Sequence, residues 1–308
     1  MRELDKPHLY SVYFAPRGKE RLLRLGDQLA HRHLNYGDKL IGIVGDAGSG
    51  KSLMIRGMFP GLVLTNDDDS VNSGSLMQVR DSFLEDYGAT NYHIDMRFQM
   101  AFTQMFEIVE FVKGALKNGR RVIIEHFDLL YPALKINADI IFGVGEEIIV
   151  TRPNIFGPLP KDIFDIVFYS LKNRKMAHTA EDLTTLILLK DYNLKFKIMN
   201  SDVRRGFVLN FKEKPDIEII ELENGVKKLI NQSIPVSYAD ENHIKIGDDL
   251  LKCTGPRIHV RNTSEVKNFK MIDKYFYDAS EDLHCLVGVV NSENYNENDL
   301  NKLRKEEF

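Results

Sequence analysis

The 308-residue chain predicts an α/β domain with a mostly parallel sheet, followed by a domain of α+β order. Three observations carry that expectation. Apolar runs of strand length alternate with helical stretches through the first half. The segment Gly45-Asp46-Ala47-Gly48-Ser49-Gly50-Lys51-Ser52 stands where an apolar run hands over to a helical one. A proline-bearing stretch, residues 152–160, then breaks the alternation, and the pattern after it differs.

Residues 18–34 read as an amphipathic helix, with Leu22, Leu23, Leu25, Leu29 and Ala30 set against Arg, Lys and Glu. Strand-like runs follow at Leu40–Val44, Leu62–Leu64, Tyr92–Ile94, Val122–Ile124 and Ile148–Val150. The helical stretch Met100–Leu116 is almost continuously apolar and is expected to be buried. Strands alternating with helices imply βαβ units. The domain boundary is placed at the proline stretch, giving domains 1–155 and 156–308. In the second, a helix around Met176–Leu189 precedes a strand near Gly206–Asn210. A helix over Asp216–Gln232 and short strands with turns come next. The asparagine-rich tail, residues 291–298, is polar throughout.

The 45–52 segment has the strand, glycine-loop and helix order of a P-loop. Glycines 45, 48 and 50 let successive N–H groups turn toward one anion, and the helix opening near Lys51 adds its dipole. Lys51 is expected on the β/γ-phosphates and Ser52 on magnesium, so the expected ligands are ATP and Mg2+. Carboxylates are needed nearby. Candidates are Asp67 in Thr65-Asn66-Asp67-Asp68-Asp69, Asp95 closing one apolar run, and Glu125 closing another. Glu125 is read as the water-orienting or magnesium-linked group, because a carboxylate ending a buried strand needs a partner.

Composition sets limits. Net charge is −4, so there is no global basic field for nucleic acid, and any RNA contact must be local, as at Arg17-Gly18-Lys19-Glu20-Arg21 or Arg204-Arg205. Two cysteines, Cys253 and Cys285, give no disulfide framework. The start, residues 1–7, lacks the apolar core of a signal peptide, and no run is long enough to span a bilayer. The expectation is a cytoplasmic protein with no membrane partner; oligomeric state is left open.

The first ~155 residues resemble the small ATPase subunit of the bacterial machinery that makes threonylcarbamoyladenosine in tRNA. The counterparts are the 45–52 loop, the segment around Thr65, His93-Ile94-Asp95, and Glu125-His126-Phe127. His126 departs from the tryptophan usual in that family. The resemblance implies a P-loop ATPase with Lys51, Asp95 and Glu125 as catalytic candidates.

In the second half, His178 and Asp182 stand at i and i+4, while Cys253 and His259 flank a Gly-Pro turn. Together they can close a tetrahedral zinc site if the fold assembles them; lone His and Cys residues otherwise serve packing. The region from about 170 to 275 resembles the second additional domain of alanyl- and threonyl-tRNA synthetases, which also occurs in free-standing editing proteins. The carriers are His178-Thr179-Ala180-Glu181-Asp182-Leu183 and Cys253-Thr254-Gly255-Pro256-Arg257-Ile258-His259-Val260. Asp182 replaces the second family histidine, and two extra residues separate Cys253 from His259. The resemblance implies a Zn2+ site and recognition or deacylation of aminoacyl-tRNA. The combined expectation is an ATPase coupled to an editing-like module. The alternatives are a small-molecule kinase, nucleoside-like in substrate, and a non-catalytic ATP-binding sensor. Against the kinase stands the lack of an arginine between Phe127 and Asp139 to cover the phosphates.

Overall fold

Leu40–Val44 is buried at every position, which makes it the natural centre of a sheet covered on both faces. In the computed structural model, which describes residues 10–16, 18–62, 64, 91–193, 199–201, 203, 206–291 and 300, it is β2 of a six-stranded sheet ordered β1-β6-β5-β2-β4-β3. The other strands are β1 (Tyr10–Phe14), β3 (Asn91–Asp95), β4 (Arg121–Glu125), β5 (Ile140–Val144) and β6 (Glu147–Thr151). Pairings β5–β2, β2–β4 and β4–β3 are parallel, while β5–β6 and β6–β1 are antiparallel. The sheet is therefore mixed rather than mostly parallel throughout. Only Gly145 and Glu146 separate β5 from β6, far too short a link for a parallel crossover.

Side chains of β2 alternate between two cores. Ile41 and Ile43 join Leu22 and Leu29 of α1 (Lys19–His33) and Met54, Ile55 and Met58 of α2 (Lys51–Met58). Leu40 and Val44 join residues of α4 (Met105–Lys117), α5 (Phe127–Leu134) and the start of α6 (Pro160–Lys190) on the other face. A short α3 (Met96–Gln99) follows β3 directly. The helix expected from Met100 begins at Met105 instead, where the Gln104 N–H donates to Glu107 Oε2 at 3.2 Å and closes the first turn. That helix also has a solvent face, since Phe106 is exposed while Ile108, Phe111, Val112 and Ala115 are buried. No strand is described at Leu62–Leu64, where residue 63 lies outside the described set; Asp67 with its acidic run, Arg17, Arg204-Arg205 and the tail 292–298 lie outside it too.

The chain divides into two compact units, Met1–Tyr169 and Ser170–Phe308. The division falls inside α6, beyond the proline stretch, because Ile163 and Val167 pack into the first unit's core. The second unit holds the remainder of α6 and α7 (Ile219–Asn231). Its larger sheet is ordered β12-β14-β8-β7, with β13 on β14. Those strands are β7 (Met199–Ser201), β8 (Gly206–Phe211), β12 (Lys270–Met271), β13 (Phe276–Asp278) and β14 (Leu283–Val289). A three-stranded sheet comprises β9 (Val236–Asp240), β10 (His243–Ile246) and β11 (Asp249–Lys252). All its strand pairings described are antiparallel, which fits α+β order. Among the described residues, no helix is long and apolar enough to cross a membrane.

Candidate functional site

Because β2, β4 and β3 are neighbours and parallel, their C-terminal ends deliver three segments to one edge of the sheet. From β2 comes the glycine loop. Gly50 takes φ 97° and ψ 13°, and a Cβ there would stand 2.3 Å from Leu22 Cδ2. At Gly45, φ is 146° and a Cβ would meet the Val144 carbonyl oxygen at 2.4 Å. Both positions require glycine. The loop runs through Asp46, Ala47, Gly48 and Ser49 into α2, whose first residues are Lys51 and Ser52. Lys51 is buried, and its Nζ donates to the Asp46 carbonyl at 2.8 Å, so the lysine closes on its own loop. Burial holds its pKa below the usual lysine value, against the opposing pull of Glu125.

β4 delivers Glu125, which is 2% exposed. Oε1 accepts from Ser52 Oγ at 3.0 Å and lies 3.2 Å from His93 Nε2 on the adjacent strand β3. Burial works to raise the Glu125 pKa, but the hydrogen bond and charge of His93, then Lys51 and Ser52, outweigh it and hold the carboxyl below its ordinary value. Glu125 is thereby tied to the hydroxyl that opens α2. Asp95 is paired in register with Glu125, yet its Oδ1 accepts from the Arg97 and Phe98 N–H groups at 2.9 and 3.3 Å. That carboxylate caps α3.

Arg97, His126 and Asp128, none of them a site candidate from sequence, also belong here. Arg97 Nη2 reaches to 3.8 Å from Asp46 Oδ1 in the loop. His126 takes the left-handed conformation (φ 58°) and is buried, with Nδ1 lacking a hydrogen-bond partner; burial, then Lys51 and Arg97, lower its pKa to about 3. Asp128 Oδ1 and Ser49 Oγ are likewise buried without partners. His126 was visible in sequence only as a departure from a resemblance. Arg97 gave no local signal, because its relation to Asp46 exists only once β2 and β3 share a sheet edge.

In the second unit His178, Asp182, Cys253 and His259 come together, with one ligand atom from each lying within 4.8 Å of all the others. Cys253 Sγ is 3.4 Å from His178 Nε2 and 3.3 Å from His259 Nε2, and His259 Nε2 is 3.5 Å from Asp182 Oδ2. Outer hydrogen bonds engage Nδ1 of both histidines. His178 Nδ1 faces the Ile258 carbonyl, an acceptor only, at 3.2 Å, so it carries the proton. Thr179 Oγ1 donates to the Lys175 carbonyl at 2.9 Å and therefore accepts from His259 Nδ1 at 3.3 Å. Both Nε2 atoms are left facing the cysteine sulfur. The Gly255 N–H donates to that sulfur at 3.4 Å. Burial, then the Asp182 carboxylate, push the Cys253 thiol far above its usual pKa. A tetrahedral zinc shell with bonds of about 2.0–2.3 Å spaces its ligands by about 3.3–3.8 Å, which these three separations match, the remaining pairs lying within 4.8 Å. Two imidazole nitrogens, a cysteine sulfur and a carboxylate converge as a donor set suited to a cation.

Comparison of the sequence with protein-family models and with curated proteins finds no match to either.

Proposed function

We propose that the chain is a Mg-dependent ATPase of P-loop type, coupled to an aminoacyl-tRNA-recognising unit of synthetase editing-like fold that holds a zinc ion. The observation that carries the first half is the convergence of Lys51, Ser52 and Glu125 beside a loop whose three glycines, 45, 48 and 50, all take positive φ. Lys51 would exchange the Asp46 carbonyl for a phosphate oxygen, and Ser52 with Glu125 would hold the magnesium side. Magnesium would neutralise charge on the phosphates.

Support for the second half is the four-donor cluster with both histidines oriented by outer hydrogen bonds. A cation there would reverse the upward push on Cys253 and leave a thiolate. Four protein donors complete a tetrahedral shell, the arrangement of structural zinc sites, which favours recognition of an acyl-adenosine end over its hydrolysis.

The test is Mg-ATP turnover with and without aminoacylated and uncharged tRNA, with Lys51→Ala as the blank. Turnover stimulated by tRNA and abolished in Lys51→Ala is the expected result. Indifference to every tRNA would sink the coupling. A second reading, a small-molecule kinase, gains from Arg97, which supplies beside the loop the arginine missing between Phe127 and Asp139. ADP release that requires an added nucleoside would select it. Binding without turnover would select a sensor.

A further inference from the structure

Arg97 stands between two carboxylates that do different things to it. Asp95 Oδ1 accepts from the Arg97 backbone N–H at 2.9 Å and so fixes the main chain at the head of α3. Asp46 Oδ1, inside the glycine loop, lies 3.8 Å from the guanidinium Nη2. The side chain is about half exposed, so it is free to swing while its base is held. Its charge acts on Lys51 at the end of the loop and on His126 and Asp128 beside Glu125. An exposed pair at this distance contributes little to stability, and a triphosphate outcompetes a single carboxylate for a planar guanidinium fork.

We infer that Arg97 is a catalytic residue of the nucleotide site, parked on Asp46 in the free protein and transferred to the γ-phosphate when nucleotide binds. This rests on the ATPase reading above. In hydrolysis the water oxygen forms a bond to the γ-phosphorus, and the bond from that phosphorus to the β–γ bridging oxygen breaks. ADP leaves with the bonding pair, and the water proton passes to phosphate or solvent. Arg97 neutralises charge on the γ-oxygens as the bond breaks, the role an arginine supplied in cis performs. Asp95, whose Oδ1 accepts from the Arg97 backbone N–H, becomes a positioning residue.

The test compares full-length wild type, Arg97→Ala and Arg97→Lys for Mg-ATP turnover, Mg-ADP affinity, and affinity for Mg-ADP with aluminium fluoride. Arg97→Ala should lower kcat about 1,000-fold while Mg-ADP affinity stays within about threefold. The extra affinity conferred by aluminium fluoride should disappear. Arg97→Lys should recover part of kcat, and added guanidinium should partly rescue Arg97→Ala. Wild-type turnover with kcat unchanged in Arg97→Ala overturns this inference alone, as does a loss confined to Mg-ADP binding. A wild type that neither binds nor hydrolyses Mg-ATP overturns the ATPase reading, and this inference falls with it. Binding without turnover removes the catalytic role of Arg97 and leaves the nucleotide site standing.

Discussion

His126 illustrates how one residue carries both backbone and electrostatic cost. Its left-handed φ of 58° disfavours any side chain with a Cβ except those that tolerate that region, chiefly asparagine, aspartate and histidine. Its ring is buried and its pKa is lowered from 6.5 to about 3, so the folded chain refuses a proton that the unfolded chain accepts. Between those values the unfolded state binds more protons, and stability falls as pH falls. Moving from about pH 7 to pH 5 should remove about 2 kcal/mol through this residue. His126→Asn keeps the backbone tolerance and loses the titration, so its urea midpoint should drop less over the same interval. Equal acid sensitivity in both proteins would assign the loss elsewhere. At the other cluster, Cys253→Ala removes the sulfur that lies within 3.4 Å of both histidines' Nε2 atoms. Elemental analysis should find about one zinc per wild-type chain and little in the variant, since closed sites depend on every ligand. Wild-type protein without zinc, after growth in zinc-supplemented medium, would remove the metal from the reading.

Helix α2 starts at Lys51, so anything that moves the helix moves the lysine. It is docked on α1 by two glycines. A Cβ on Gly57 would meet the Leu23 carbonyl oxygen at 2.1 Å, and one on Gly26 the Met54 carbonyl oxygen at 2.4 Å. Backbone oxygens cannot rotate away, so Gly57→Ala must push the helices apart. The expected cost is about 2 kcal/mol in denaturant titration, with Mg-ATP affinity weakened roughly tenfold. Normal stability and affinity would mean that α2 slides without disturbing the loop. Elements with local signals were legible in sequence. β2 matches its expected bounds, β3, β4 and β6 extend theirs by a residue at each end, and α1 and α7 fall inside theirs. β1 and β5 were missed for physical reasons. Tyr10–Phe14 is an edge strand with partly exposed side chains and no uniform apolar run. Ile140–Val144 runs within two residues of β6, and only pairing with β2 shows where one strand ends.

At the scale of the molecule, the contiguous parts of the candidate site were readable and the cross-chain parts were not. The loop from Gly45 to Ser52 is written in consecutive residues. The His93 contact to Glu125, the capping of α3 by Asp95 Oδ1, and the approach of Arg97 to Asp46 are products of strand order. The four-donor cluster lies between these cases, because pairwise spacing named its members and only the fold brought α6 beside the segment after β11. Each unit also has its own cores, with Ile41, Phe127 and Val150 in the first and Phe207, Leu222 and Leu286 in the second. A ligand that binds one folded unit stabilises that unit by mass action, by about 2.7 kcal/mol at a hundredfold excess over Kd. Calorimetry of the full chain should therefore resolve transitions that answer to different ligands. Mg-ATP should raise the one carrying the first unit, and Lys51→Ala should abolish that rise. A zinc chelator should lower the one carrying the second unit, and Cys253→Ala should remove that response while leaving the Mg-ATP shift intact. A single transition displaced equally by nucleotide and chelator would instead mean that the two units unfold as one, and the Lys51 and Cys253 variants would then each blunt only their own ligand's share of the common shift.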